Sequence, residues 1–137
     1  MVIVALLLTA AGCTAGTEYT PPLCPTGLPA IRSITIERSG YAAGPVGDPS
    51  IRCSTFRPTP AQVRAYLTKA RRVPDFRSAD ATIDMVPCRA RGSVTFANGR
   101  RGKWEVEQAR FGNIVVPGRS KMLLYTVARL GRPFIDE

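Results

Sequence analysis

The 137-residue chain has no histidine. That absence excludes Ser-His-Asp and Cys-His machinery, a histidine general base and every metal site that needs an imidazole. Cys13, Cys24, Cys53 and Cys88 show no Cys-x-x-Cys spacing, so the thiols give no zinc pattern either. There is no glycine-rich phosphate loop ending in lysine, and no serine sits in a nucleophile motif. The longest apolar run, residues 2–12, is short of the about 20 residues that a membrane-spanning helix requires. These gaps predict no metal, no cofactor and no enzyme. Lysine is also scarce: of 19 basic residues only Lys69, Lys103 and Lys121 are lysines.

What is present suits one small domain. The chain weighs 14.8 kDa, with 45% apolar and 21% charged residues, enough to build a core. Its net charge of +9 is unevenly placed. Residues 1–50 hold two bases against three acids, and residues 51–137 hold 17 against 7. A field of that sign attracts polyanions.

The run Val-Ile-Val-Ala-Leu-Leu-Leu-Thr-Ala-Ala-Gly is uncharged and ends at Cys13. Residues 1–13 thereby resemble a bacterial lipoprotein signal, in which small residues precede a lipid-modified cysteine. The resemblance implies a signal peptide over 1–12, cleavage before Cys13, and palmitate-type acyl chains on Cys13. At about 0.8 kcal/mol per buried methylene, two or three chains would hold durably to a membrane. Thr14 follows, where an Asp would favour the inner membrane. The implied location is the cell envelope, at the outer membrane facing the periplasm in a Gram-negative host. Two features depart from the pattern. Ala10 stands where leucine is commoner, and no Lys or Arg precedes the apolar run. An earlier in-frame start would supply the missing bases.

Residues 13–30 carry four prolines and two glycines after Cys13, which disfavours helix and predicts an extended tether. The domain is expected over 31–137. Ile34 and Ile36 alternate with Thr35 and Glu37, a strand over 31–38. A loop is expected over 39–49, and a short strand over 50–56. Thr59, Pro60 and Gln62 form a helix start with a capping box. Val63, Tyr66, Leu67 and Ala70 make one apolar stripe, and the helix is expected to carry Arg71 and Arg72 in its last turn before Pro74. Residues 75–84 read as irregular. Cys88 to Phe96 alternates, Asn98-Gly99 is a hairpin turn, and Trp104 and Val106 alternate with Lys103, Glu105 and Glu107 on the return strand. Residues 112–116 and 121–128 read as two further strands. The expected architecture is α+β: one helix on a mostly antiparallel sheet of four to six strands.

With Cys13 lipidated, Cys24, Cys53 and Cys88 allow three pairings. In an oxidising compartment one disulfide is expected. Cys53–Cys88 is preferred because both cysteines lie at strand edges within the domain, leaving Cys24 in the tether free or bonded to a partner.

Among the acids Asp80, Asp84, Glu105 and Glu107, the last two sit two apart on a strand and share a face. They are the nearest approach to an acid–base pair, and an ordinary solvated strand face explains them more simply. The cationic surface is the stronger feature. Arg89 and Arg91 point outward from one strand, Arg100, Arg101 and Lys103 cluster at the hairpin tip, and Arg71 and Arg72 close the helix. In the cytoplasm such a surface would suit nucleic acid. After export it suits lipid headgroups, lipopolysaccharide phosphates, anionic wall polymers or an acidic protein.

Residues 50–126 also resemble a group of small uncharacterised bacterial proteins. The shared outline is Cys-x-x-Phe (Cys53 to Phe56), a helix of Thr-x-x-Gln-Val type near Thr59 to Val63, Pro87-Cys88, Asn98-Gly99, and Gly102-Lys103-Trp104. Group members often carry cysteines after the Leu-Tyr of the last strand, where this chain has Leu124-Tyr125-Thr126. The resemblance implies one intact domain and no particular activity. The sequence therefore predicts a membrane-anchored lipoprotein with a non-catalytic partner-binding domain and no nucleic-acid partner. The alternative is an immunity or inhibitor protein against a secreted toxin or wall hydrolase. For that reading the +9 charge is awkward, because lysozyme-like targets are themselves basic.

Overall fold

The computed structural model describes residues 12–44, 48, 50–83 and 86–136. Apart from Gly12, the signal read over residues 1–12 lies outside them, as does Asp84.

The fold is α+β, built on one six-stranded antiparallel sheet in the order β1-β3-β4-β5-β6-β2. Strand β1 is Ile31–Ala42, longer than its alternating pattern predicts. Register shifts between Ile36 and Arg38 and between Arg38 and Tyr41 absorb the polar, Gly-containing stretch without ending the pairing. Gly40 turns at φ 65°, and a Cβ there would stand 3.2 Å from the Cys53 carbonyl. The loop expected from Ser39 therefore begins only after Ala42.

The strand expected over 50–56 is instead a 3-10 turn at Cys53–Thr55, which buries Phe56. Helix α1 (Pro60–Lys69) carries the anticipated capping box between Thr59 and Gln62, and its stripe of Val63, Tyr66 and Leu67 is buried. It stops at Ala70, which is extended (ψ 144°). Arg71 and Arg72 consequently belong to strand β2 (Arg71–Val73), not to a helical last turn. A second helix, α2 (Phe76–Thr82), occupies the stretch that reads as irregular. The Asp75 side chain caps it by accepting from the Ser78 N–H.

Strands β3 (Cys88–Phe96) and β4 (Arg101–Glu107) form the predicted hairpin, with Gly92 opposite Trp104 and Arg91 opposite Glu105. Strands β5 (Phe111–Val115) and β6 (Met122–Tyr125) complete the sheet. Period-2 alternation divides the side chains between two faces. On one face Ala90, Val94, Phe96, Trp104, Val106, Ile114 and Leu124 join Val63, Tyr66 and Leu67 of α1 in the main core. On the other, Phe111, Leu123, Tyr125 and Val73 pack with Ala79 and Ile83 at α2. This second cluster reaches only the β5-β6-β2 end, so the described residues leave the opposite face of β1, β3 and β4 open.

All four cysteines are paired. Cys53–Cys88 is present as expected, and Cys24 is bonded to Cys13, which corrects the expectation of a free Cys24. The stretch read as a tether is non-helical, as its prolines predict, but part of it packs on the domain. Leu23 and Cys24 are each 5% exposed. Cys24 and Arg72 exchange backbone hydrogen bonds of 2.9 and 2.7 Å, so the segment covers the outer edge of β2. Among the described residues no helix is long and apolar enough to cross a membrane.

Candidate functional site

The open face carries the polar alternates of three strands: Arg89, Arg91 and Ser93 from β3, Arg101, Lys103, Glu105 and Glu107 from β4, and Tyr41 from the bulged end of β1. Sequence reading treats Glu105 and Glu107 as a solvated pair. The structure ties them into a network. The Glu105 carboxylate accepts from the Tyr41 hydroxyl at 2.6 Å and from Arg89 Nη1 at 2.7 Å, on different oxygens. Arg89 Nη2 lies 3.6 Å from Glu107, whose other oxygen accepts from the Val86 N–H at 3.3 Å.

Their environments push the two acids apart. Burial opposes ionisation of Glu105, but the Tyr41 hydroxyl and Arg89 outweigh it and hold the carboxyl below its ordinary range. Glu107 is only 3% exposed. Burial pushes its carboxyl up to about 7 against the pull of Arg89 and the Val86 N–H. Tyr41 is raised, first by burial and then by its bond to Glu105.

Divergent carboxyls are the mark of an acid–base pair, but here they have little room to work. The hollow beside them, between Phe76, Arg89, Glu107 and Leu123, holds about 200 Å³, below the about 300–1,000 Å³ of ligand pockets. Both Glu105 oxygens are already bonded, so the network reads as a brace across β1, β3 and β4. It has a pH signature. Because Glu107 is raised when folded, the native state binds the extra proton between the unfolded value and about 7. Its stabilisation is complete below the unfolded value and is lost as pH rises through about 7. In urea titrations across that range the wild type should lose stability as pH rises, and Glu107→Gln should flatten the slope. An unchanged slope would remove Glu107 as its source.

The seven predicted basic residues do not form one patch. Arg71 and Arg72 lie on β2, at the opposite sheet edge from β1. Arg89 is committed to Glu105 and Glu107. Arg100 is at the hairpin tip and donates to the Pro117 carbonyl at 3.3 Å. Arg91, Arg101 and Lys103 share the open face. Two further bases join them that sequence reading left aside. Arg38 stacks over the Tyr41 ring at 4.4 Å, with Arg91 on the same ring at 5.6 Å. Lys121 meets Arg91 and Lys103 around a hollow of about 300 Å³. Of the acids there, Glu37 pairs with Lys103 and Glu105 with Arg89, so among the described residues no ion pair balances the charges of Arg91 and Lys121. The bulge explains why Arg38 and Tyr41 escaped notice: it carries an apparent loop back into register beside β3.

No group of three or more metal-ligating side chains occurs among the described residues. No family model, curated protein or solved structure matches the chain.

Proposed function

We propose that this chain is an exported protein of the bacterial cell envelope whose domain performs no chemistry and binds a phosphate-bearing anionic envelope component on its open sheet face. The observation that carries the reading is the hollow rimmed by Arg91, Lys103 and Lys121, with the paired Glu37 and Glu105 also on its lining, placed where no described helix covers the sheet. Export is supported by the uncharged run ending in Ala10-Ala11-Gly12 and by two disulfides, which persist in oxidising compartments.

Attachment has two readings. The resemblance at residues 1–13 favours a lipid thioether on Cys13. The Cys13–Cys24 bond favours a mature protein without that anchor. One sulfur cannot carry both, so a molecule lipidated at Cys13 must leave Cys24 as a thiol or bonded elsewhere.

Cosedimentation of the purified protein with phosphatidylglycerol vesicles tests the binding face. Binding should weaken as salt rises. At about 1 kcal/mol per basic side chain near an anionic surface, Arg91→Glu with Lys121→Glu should cost on the order of 2 kcal/mol or more, about thirtyfold in affinity. Arg71→Glu with Arg72→Glu, at the far edge, should cost much less. Equal losses from the two double variants, or no binding by the wild type, would overturn the reading.

A further inference from the structure

Arg110 stands apart from the open-face charges. It closes the turn between β4 and β5, where its N–H donates to the Glu107 carbonyl at 2.9 Å. Its φ is 71°, a region that residues other than glycine rarely adopt. The residue is 6% exposed, and among the described residues no salt bridge joins it to an acid. Nη1 donates to the Val127 and Ala128 carbonyls, each at 3.1 Å. The buried Nε has no acceptor.

Holding two carbonyls requires one nitrogen and no full charge. Among the described residues no acid offsets this buried guanidinium, and leaving a buried charge unpaired is costly. Of the donors left over, Nε is closed off from solvent, which leaves Nη2 to make a charge-assisted hydrogen bond to a ligand oxygen. Arg110 also lines a cavity of about 490 Å³ with Tyr19, Thr82, Ile83, Val86 and Tyr125, within the about 300–1,000 Å³ of small-molecule sites. Three of these side chains bring hydroxyls, two bring hydrocarbon, and no described lining residue is acidic.

We propose that this cavity binds a small organic carboxylate, with its carboxyl group on Arg110 Nη2 and its hydrocarbon end against Ile83 and Val86. Inorganic phosphate shares the charge but lacks the hydrocarbon end.

The test titrates the full chain with butyrate, butyramide and inorganic phosphate at constant ionic strength, following the amides of Thr82, Val86 and Arg110 by NMR. Butyrate should give saturable shifts at these amides, and butyramide and phosphate should not. Arg110→Gln should weaken the butyrate response at least tenfold. If that variant does not fold, the comparison of butyrate with butyramide on the wild type decides alone. An absent butyrate response, an equal response to butyramide, or a response to phosphate only would overturn the proposal.

Discussion

Replacing Cys53 and Cys88 by serine should lower the unfolding free energy by about 3–4 kcal/mol, measured by urea denaturation at fixed pH. The bond spans 35 residues. That stretch holds the 3-10 turn, both helices and β2, so the open chain of the variant gains freedom over nearly all the helical structure. The linkage also fixes geometry. Cys88, at the head of β3, is 1% exposed, and Ala42 of β1 pairs directly with it. A bond at Cys88 thus holds the covering turn against the β1–β3 pair. Cys13–Cys24 spans only 11 residues, and the same loop-entropy argument gives about 1 kcal/mol less for it. A loss under about 1 kcal/mol for the Cys53 and Cys88 double variant would mean that the unfolded chain is already restricted in that region.

Gly92→Ala should be comparably damaging. A Cβ there would stand 1.9 Å from the Thr35 carbonyl oxygen and 2.7 Å from Trp104 Cζ2. The first contact is with backbone of β1, which cannot rotate away, and the second is with a fully packed indole in the main core. Relieving both means separating β1 from β3 and displacing Trp104, whose Nε1 donates to the Ser93 carbonyl at 2.9 Å. Overpacking of this kind should cost on the order of 3 kcal/mol or more. Urea unfolding followed by the fluorescence of Trp104, the chain's one tryptophan, reads both the stability loss and the changed indole environment. A variant with unaltered midpoint and emission would show that β1 does not press on β3 as described.

How far the sequence reaches is clearest in particular segments. The β3–β4 hairpin and α1 follow from local chemistry: strict alternation around Asn98-Gly99, and a cap at Thr59 followed by a continuous stripe. Helix α2 does not announce itself, because only Ala79 of its seven residues is buried and no apolar stripe forms. Strand β2 is three residues long and exists through its pairing with β6, some fifty positions away. Such long-range pairing leaves no local trace. The expected strand over 50–56 became a turn because Cys53 is bonded to Cys88 and Phe56 enters the core.

The candidate site shows the same division. Alternation places Arg91, Lys103 and Glu105 on one face correctly. It does not show that Arg89 is consumed by two carboxylates, or that Glu107 is buried. Those facts depend on Val86, Tyr41 and α2 arriving from elsewhere in the chain. The cysteines are the sharpest case, since a reading that reserves Cys13 for lipid has no means of pairing it with Cys24.

Export is the central claim, and the intact mass of the protein recovered from its native cell envelope tests it most directly. Export with signal cleavage should yield a chain beginning at Cys13, carrying either two disulfides or a lipid-modified Cys13 with the Cys53–Cys88 bond retained. Recovery from the cytoplasm of an uncleaved chain with reduced thiols would contradict it.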